Sequence, residues 1–377
     1  MPSENLINYR DIVTGKESTN LEDLPRVEDG YDSYFIRVPK PEHLIDENAR
    51  GLLRYASALP IEELPYTLGE GGTPLIPSKA IEGVYIKNEG MNPTGNFKDR
   101  ESAVALAYAR EHGYGNLAIA SSGNAALSAA LYSRIYNIKT TCYIPARTPQ
   151  EKIDMIDLFG ARTHIVGETY EESYHYLAEN LPMGTINVTS GIFPLRSDGA
   201  KTIAYEIWED LGKVPDVIVC PCGNGSALAA IYHGFSELKE WGYTDSIPAM
   251  ISVQIEGADP INQALKSGKW VTKLKDIPYS DCEAIVAEES FCSPKAVYAV
   301  KQSGGFGISV TDHQVIDGLR YAIDTEGIFP EISSAAVYAA MLDQGEAIKK
   351  KGKTIVLINS ATGIKDTEGM KEILEEK

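Results

Sequence analysis

Lys98 closes a turn-forming stretch, Asn92-Pro93-Thr94-Gly95-Asn96-Phe97, and comes directly before a helix-forming run, Glu101 to Tyr108. The positive end of a helix dipole is a poor place for an ammonium and eases proton loss. A lysine that gives up its proton is a nucleophile able to form a Schiff base. Alone, with Arg100 beside it, Lys98 reads more simply as the flank of a helix start. Two later loops change that reading. Ser121-Ser122-Gly123-Asn124 lies between the apolar Leu117 to Ala120 and the helical Ala125 to Tyr132, which makes strand, tight turn, helix. Such a turn offers N–H groups and hydroxyls at a helix N-terminus, an anion site, although an ordinary N-cap has the same look. The second loop, Pro221-Cys222-Gly223-Asn224-Gly225-Ser226, follows the strand-like Val217 to Cys220 and opens the helix Ala227 to Leu238. Two glycines around an asparagine let an anion approach the backbone closely. The loop is neither a Walker A motif nor a G-x-G-x-x-G fingerprint. Together the three elements offer a lysine for an aldehyde, a nest for a phosphate and a second anion loop for a carboxylate. That combination is a pyridoxal phosphate site handling an amino acid.

The elements that must position these groups are an alternation of strands and helices. From about residue 85 onward, apolar runs read as strands: Leu117–Ala120, Thr140–Ile144, Thr163–Val166, Val217–Cys220, Met250–Ile255 and Thr354–Ile358. Between them lie helical patterns such as Gln150–Phe159 and Lys201–Leu211. This alternation predicts an α/β protein with parallel sheets wrapped by helices. Residues 1–50 differ: they are acidic, rich in Asn, Asp, Glu and Pro, with one short β-like piece, Tyr34–Val38.

A chain of 377 residues can bury a large core and usually divides into two domains. The formal net charge is −18, which argues against nucleic acid and against an anionic membrane surface as partners. It does not exclude an anionic substrate, because local loops decide that. No apolar run approaches the length of a membrane span, and Met1 to Asp11 lacks an apolar signal core. The five cysteines, including Cys220-Pro221-Cys222, fit neither a C-x-x-C redox pair nor paired zinc knuckles. Free thiols in a reducing compartment follow, and the expected location is the cytoplasm. The six histidines show no metal spacing, and no metal site is expected. Tyr170, Tyr174 and Tyr176 fall on a charged helix and read as packing.

Several segments, in order, resemble threonine synthase, a fold-type-II pyridoxal phosphate enzyme of the tryptophan synthase β-like group. They are Leu68-Gly69-Glu70-Gly71-Gly72-Thr73-Pro74-Leu75, the Lys98 segment, Ser121-Ser122-Gly123-Asn124, Gly199-Ala200-Lys201-Thr202, Gln254 with Gly257-Ala258, Glu326 to Ala336, and Gly363-Ile364-Lys365-Asp366. The similarity covers roughly residues 50 to 366. It implies two three-layer αβα domains with mostly parallel sheets: a large cofactor-binding domain of residues 61–100 and 192–377, a small mobile domain of residues 101–191, and an N-terminal extension of residues 1–60. It implies a homodimer. It also implies that Lys98 holds the cofactor covalently, that Asn124 meets its phenolic oxygen, that Gly223, Asn224, Gly225 and Ser226 hold its phosphate, and that Ser360 meets its pyridine nitrogen. Ser121, Ser122, Gly123 and Ala125 would receive the substrate carboxylate. Asn96 and Arg196 would contact the substrate, Arg196 as a fork for a phosphate; with a substrate that carries no phosphate, Arg196 would pair with Asp198 or Glu101 instead.

The departures from that family cluster around the substrate. Where family members show Asn-Ser-x-Asn-Pro-Tyr-Arg, this chain has Ser190-Gly191-Ile192-Phe193-Pro194-Leu195-Arg196. Two polar ligands are lost, an apolar wall is gained, and Arg196 is kept. The small residue after Asp-Arg is Glu101 here, and the family's late histidine is absent from Ser360-Ala361-Thr362-Gly363. A serine at the ring nitrogen cannot hold it protonated as an aspartate would, which suits elimination and replacement. Two activities stay open. One is threonine synthase itself, converting O-phosphohomoserine by γ-elimination and water addition. The other is β-elimination or β-replacement on a serine-, threonine- or phosphoserine-type substrate, as in cysteate synthase or an ammonia-lyase. A pseudoenzyme that kept the fold for binding is the third alternative, and the intact Lys98 argues against it.

Overall fold

The computed structural model describes residues 7–27, 30–365, 370, 371 and 374. Asp366 of the last family segment lies outside them. In chain order the elements begin with an antiparallel sheet of β1 (Asn8–Asp11), β2 (Glu17–Ser18) and β3 (Tyr34–Arg37), then β4 (Leu75–Pro77) and β5 (Val84–Asn88). There follow α1 (Lys98–Glu111), β6 (Asn116–Ala120), α2 (Asn124–Tyr136), β7 (Lys139–Ile144), α3 (Gln150–Leu158), β8 (Arg162–Ile165), α4 (Tyr170–Glu179) and β9 (Thr185–Asn187). After α5 (Leu195–Leu211) come β10 (Val217–Pro221), α6 (Ser226–Glu240), β11 (Ala249–Ile255), α7 (Pro260–Ser267), α8 (Ser293–Gln302), β12 (Phe306–Val310), α9 (Asp312–Tyr321), α10 (Ile332–Lys349) and β13 (Ile355–Asn359).

The expected α/β architecture with mostly parallel sheets is what forms. A six-stranded sheet runs β12-β11-β10-β13-β5-β4, parallel except for the β4–β5 pair. A four-stranded parallel sheet runs β8-β7-β6-β9. Central parallel strands are covered on both faces and so need continuous apolar runs. Every residue of β10, β11 and β13 is buried accordingly. β8, at a sheet edge, has no fully buried residue.

Two compact units share the chain: one of residues 1–40, 73–91 and 201–377, and one of residues 41–72 and 92–200. The larger core packs Val217, Val219, Ile251, Val253, Ile355 and Leu357 from its strands with Ala335 to Ala340 of α10. Each large aliphatic group so buried contributes about 1.5–3 kcal/mol. The second core is built from the alanine-rich faces of α1 and α2 with Leu117 and Ile119 of β6. These units divide the chain differently from the expected domains: residues 41–60, 61–72, 92–100 and 192–200 all group with the segment 101–191. The reason is packing: Leu52, Leu59 and Leu64 complete the α1–α2 core.

The described residues up to 40 hold more order than one β-like piece. Their sheet is fixed to α6 by Arg10 and Arg37, both paired with Glu240, at 2.6 and 2.9 Å. His233 of α6 stacks on Phe35 at 4.5 Å, and one ring nitrogen lies 2.8 Å from the Ile36 carbonyl. Acidic composition hid this sheet, because its partners lie about 200 residues away on α6.

Candidate active site

The candidate residues divide between the two units. In the smaller one, Lys98 is the first residue of α1, at the helix start where the sequence placed it. The preceding turn is built by short-range hydrogen bonds. Gly95 N–H donates to the Asn92 carbonyl (2.8 Å), and Asp99 accepts from the Thr94 N–H (2.6 Å) and hydroxyl (2.7 Å). Burial pushes the Asp99 carboxyl above its usual range, against the pull of its hydrogen bonds to Ser128 and Thr94. Asn92 also receives the Gly71 N–H (2.9 Å), which ties the Gly-Glu-Gly-Gly-Thr segment to the lysine turn. Within that segment the buried Glu70 accepts from Tyr132 (2.7 Å) and from Leu68 N–H (2.8 Å).

Asn96, expected at the substrate, has both ends of its amide in the turn. Its nitrogen donates to the Thr94 hydroxyl (2.9 Å), and its oxygen accepts the Lys98 N–H (3.0 Å). It therefore sets the backbone that carries the lysine. The Lys98 side chain is 14% exposed, and its amine lies 3.1 Å from Glu101, one turn along the helix. Glu101 is fully buried and is gripped from its other side by Arg196, whose Nε donates at 3.0 Å. The Arg196 Nη1 donates to the Val188 carbonyl (3.0 Å), and Nη2 stands 3.0 Å from the same carboxylate. Arg196, expected to fork onto a substrate phosphate, is 1% exposed and engaged by Glu101. An anion in the first turn of α1 also suits the helix dipole. Gly199 permits the approach of α5 to α1, since a Cβ there would fall 1.9 Å from the Arg100 carbonyl. Phe193, the expected apolar wall, stacks edge-on against Tyr108 at 5.6 Å and joins the core.

Ser121, Ser122 and Gly123 form the expected turn between β6 and α2, with Asn124 and Ala125 opening the helix. Gly123 N–H donates to the Ser121 hydroxyl (3.3 Å), and Gly123 caps α2 without any side-chain hydrogen bond. An N-terminus left uncapped by side chains is suited to a carboxylate.

In the larger unit, Gly223, Asn224 and Gly225 join β10 to α6, which Ser226 begins. Gly225 is the N-cap in the left-handed region (φ 81°), again with no side-chain cap. A left-handed glycine before uncapped helical N–H groups is the geometry of an anion nest, so this loop fits the phosphate of pyridoxal phosphate. The loop is braced from a distance. Phe291 N–H donates to the Asn224 side chain (3.0 Å), Ser290 donates to the Gly223 carbonyl (2.7 Å), and Gln254 donates to the Cys222 carbonyl (3.2 Å). Of these braces the sequence had marked only Gln254; Ser290 and Phe291 carry no local signal. Ser360 follows β13, and its hydroxyl lies 2.7 Å from that of Ser334 in α10.

Gly225→Ala should lower both stability and cofactor affinity. A Cβ at Gly225 would meet Ala296 Cβ at 2.7 Å and Ile261 Cδ1 at 2.8 Å, in a backbone region that alanine avoids. Strain of this kind costs about 1–3 kcal/mol. Urea midpoints with and without cofactor, together with cofactor titration, read both effects. An unchanged midpoint and unchanged affinity would show that the loop tolerates a side chain and does not depend on glycine.

Comparison with known proteins places these features. Residues 66–361 match the model of the pyridoxal-phosphate dependent enzyme family. The chain is 35% identical over 334 residues to the threonine synthase of Methanosarcina acetivorans, covering 86% of this chain and 82% of that protein. It is 32% identical to the threonine synthase of Methanocaldococcus jannaschii, covering 92% and 88%. Among solved structures it is similar to a threonine deaminase of Solanum lycopersicum, with TM-score 0.67 and 21% identity over 80% of this chain and 87% of that one. It is also similar to a diaminopropionate ammonia lyase of Escherichia coli, with TM-score 0.67 and 16% identity over 82% and 89%. The structural likenesses show the fold.

Proposed function

From the premise that this chain belongs to the pyridoxal-phosphate dependent enzyme family and is a threonine synthase-like lyase, we propose that it converts O-phosphohomoserine and water to threonine and phosphate. The observation that carries the reading is Lys98 at the head of α1 with its amine against a carboxylate, in a chain 35% identical to a threonine synthase. Pyridoxal phosphate, when bound, supplies the electron sink that acidifies the substrate Cα–H bond.

The chain's own residues do the rest. Lys98 attaches the cofactor and, once released, moves the proton at Cα. Glu101 holds the Lys98 amine, and Arg196 and Asn96 hold Glu101 and the lysine backbone in place. Ser121, Ser122, Gly123 and Ala125 receive the substrate carboxylate, and Asn124 the cofactor's phenolic oxygen. Gly223, Asn224, Gly225 and Ser226 take the phosphate, and Ser360 the ring nitrogen. The five described cysteines are all free thiols, which supports a cytoplasmic setting. No helix among the described residues is long and apolar enough to cross a membrane. A homodimer is the assembly the family resemblance supports.

One observation favours a second reading. Arg196 is already spent on the buried Glu101, so the one retained member of the phosphate-binding set has an internal anion. That suits a substrate without a phosphate, undergoing β-elimination or β-replacement. Both readings are tested by incubating the holoenzyme with O-phosphohomoserine, O-phosphoserine, threonine, serine and diaminopropionate and detecting products by mass. Threonine and phosphate from O-phosphohomoserine support the first reading. Turnover of serine, threonine or diaminopropionate alone supports the second and removes the first.

A further inference from the structure

The loop between β10 and α6 is shaped from outside. To hold a phosphate, its backbone N–H groups must face one anion together. A trans peptide points its C=O and its N–H in opposite directions, and no peptide bond among the described residues is cis. Fixing a carbonyl therefore aims the N–H of the next residue. The Gly223 carbonyl accepts the Ser290 hydroxyl at 2.7 Å, which turns the Asn224 N–H the other way. The Asn224 carbonyl accepts the Cys292 N–H at 3.2 Å, which does the same for the Gly225 N–H. Between them the Phe291 N–H donates to the Asn224 side-chain oxygen at 3.0 Å. The segment Ser290–Cys292 thus draws these acceptors to one side and leaves the donors of the loop on the other.

That segment is held by the far end of the sequence. Tyr31, just before β3, is buried, with its ring centre 6.4 Å from that of Phe291 and the two planes 15° from parallel. Lys273 Nζ stands 5.6 Å from the Tyr31 ring centre and 3.4 Å from Glu289, which precedes the segment. The Tyr31 hydroxyl meets no hydrogen-bond partner among the described residues, so its hold is made by the ring. β3 pairs with β1, and Arg10 and Arg37 of those strands bind Glu240 at the end of α6. Phe291 is therefore packed against residues anchored to the same helix whose N-terminus opens the loop.

We infer that Tyr31 is a positioning residue for the cofactor: its ring holds Phe291, and with it the Ser290–Cys292 segment, where that segment aims the Asn224 and Gly225 N–H groups at the phosphate. The inference rests on the proposed placement of the cofactor phosphate at Gly223 to Ser226. It gives the N-terminal sheet a task in cofactor binding from outside the loop.

The test reads the phosphate itself. Full-length wild type, Tyr31→Ala, Tyr31→Leu, Tyr31→Phe and Ser290→Ala are titrated with pyridoxal phosphate, and the phosphorus NMR shift of the bound cofactor is recorded. An aromatic pair is worth a factor of about 2–10 in an equilibrium constant, and Tyr31→Ala and Tyr31→Leu should weaken cofactor binding by that much. Both should move the phosphorus signal in the same direction as Ser290→Ala, which removes the donor to Gly223 directly. Tyr31→Phe keeps the ring and should match wild type in both readings. A Tyr31 that only stabilised the fold would lower the urea midpoint and leave the phosphorus signal of the folded protein where it is. That result in Tyr31→Leu, which keeps apolar bulk should Tyr31→Ala not fold, overturns the inference. So does an unmoved signal in Ser290→Ala, or a Tyr31→Phe that binds as weakly as Tyr31→Leu. A wild type that takes up no pyridoxal phosphate would instead remove the functional reading beneath it.

Discussion

Lys98→Ala should abolish turnover, leave the fold standing and remove the borohydride-reducible link between protein and cofactor. The residue serves two roles in the proposed chemistry, attachment and proton transfer. Loss of the second alone costs about 10²–10⁴ in rate, so no activity above that of free cofactor should remain. The fold should survive for three reasons visible in the structure. Alanine is the best helix former, and position 98 is the first residue of α1. The Lys98 side chain is partly exposed. Glu101, which it contacts, keeps Arg196 as its partner. The stability cost should be about 1.5–3 kcal/mol, that of one hydrogen bond between charged groups at a largely buried position. Absorbance, urea unfolding and peptide mapping after borohydride reduction check each part. Reduced cofactor on a peptide that lacks Lys98 would refute the assignment.

Arg196→Leu should be more damaging to stability than Lys98→Ala. It leaves Glu101 fully buried with only Lys98 near it, and it strips the donor from the Val188 carbonyl. Removing one partner of a buried ion pair costs about 3–5 kcal/mol, because the other charge stays uncompensated. Replacing both, as Arg196→Leu with Glu101→Met, should recover much of that loss, since an apolar pair of similar volume is often neutral or better. Urea midpoints of the two single variants and the double variant measure the coupling. Additive losses would show that the two residues do not act as a pair. The same proteins also separate the two functional readings. If Arg196 reaches a substrate phosphate, the folded fraction of Arg196→Leu should lose roughly 2–4 kcal/mol of transition-state binding on O-phosphohomoserine. If Arg196 serves only Glu101, any loss in kcat/KM per folded enzyme should be mild and the same for substrates with and without a phosphate.

What the sequence made legible was local. Strand-like runs at Val217–Cys220 and Met250–Ile255 became β10 and β11 with ends shifted by one residue, because buried parallel strands must be apolar throughout. The turn before Lys98 and the two loops before α2 and α6 were legible for a related reason. Gly, Asn, Pro and Ser set backbone angles by themselves, within a few residues of where they stand. The α/β class and the cofactor chemistry rest on that local order.

Partnership between distant residues was mostly not legible. Arg196 read as a fork for phosphate, with Asp198 or Glu101 as its alternative partner, and packing brings it to Glu101 across 95 positions of sequence. Ser334 gave no signal apart from its segment, and Ser290 and Phe291 gave none as braces of the Gly223–Gly225 loop, 67 positions away. The sheet of residues 1–40 was hidden in acidic sequence because Glu240 and His233 of α6 hold it. Residue type determines which backbone angles and which charges are on offer, and that much this sequence determined unaided. Which charge neutralises which, and which hydroxyl must donate, was decided only by the tertiary structure: burial removes water as an alternative partner and leaves each polar group the few neighbours that packing brings within 3 Å or so.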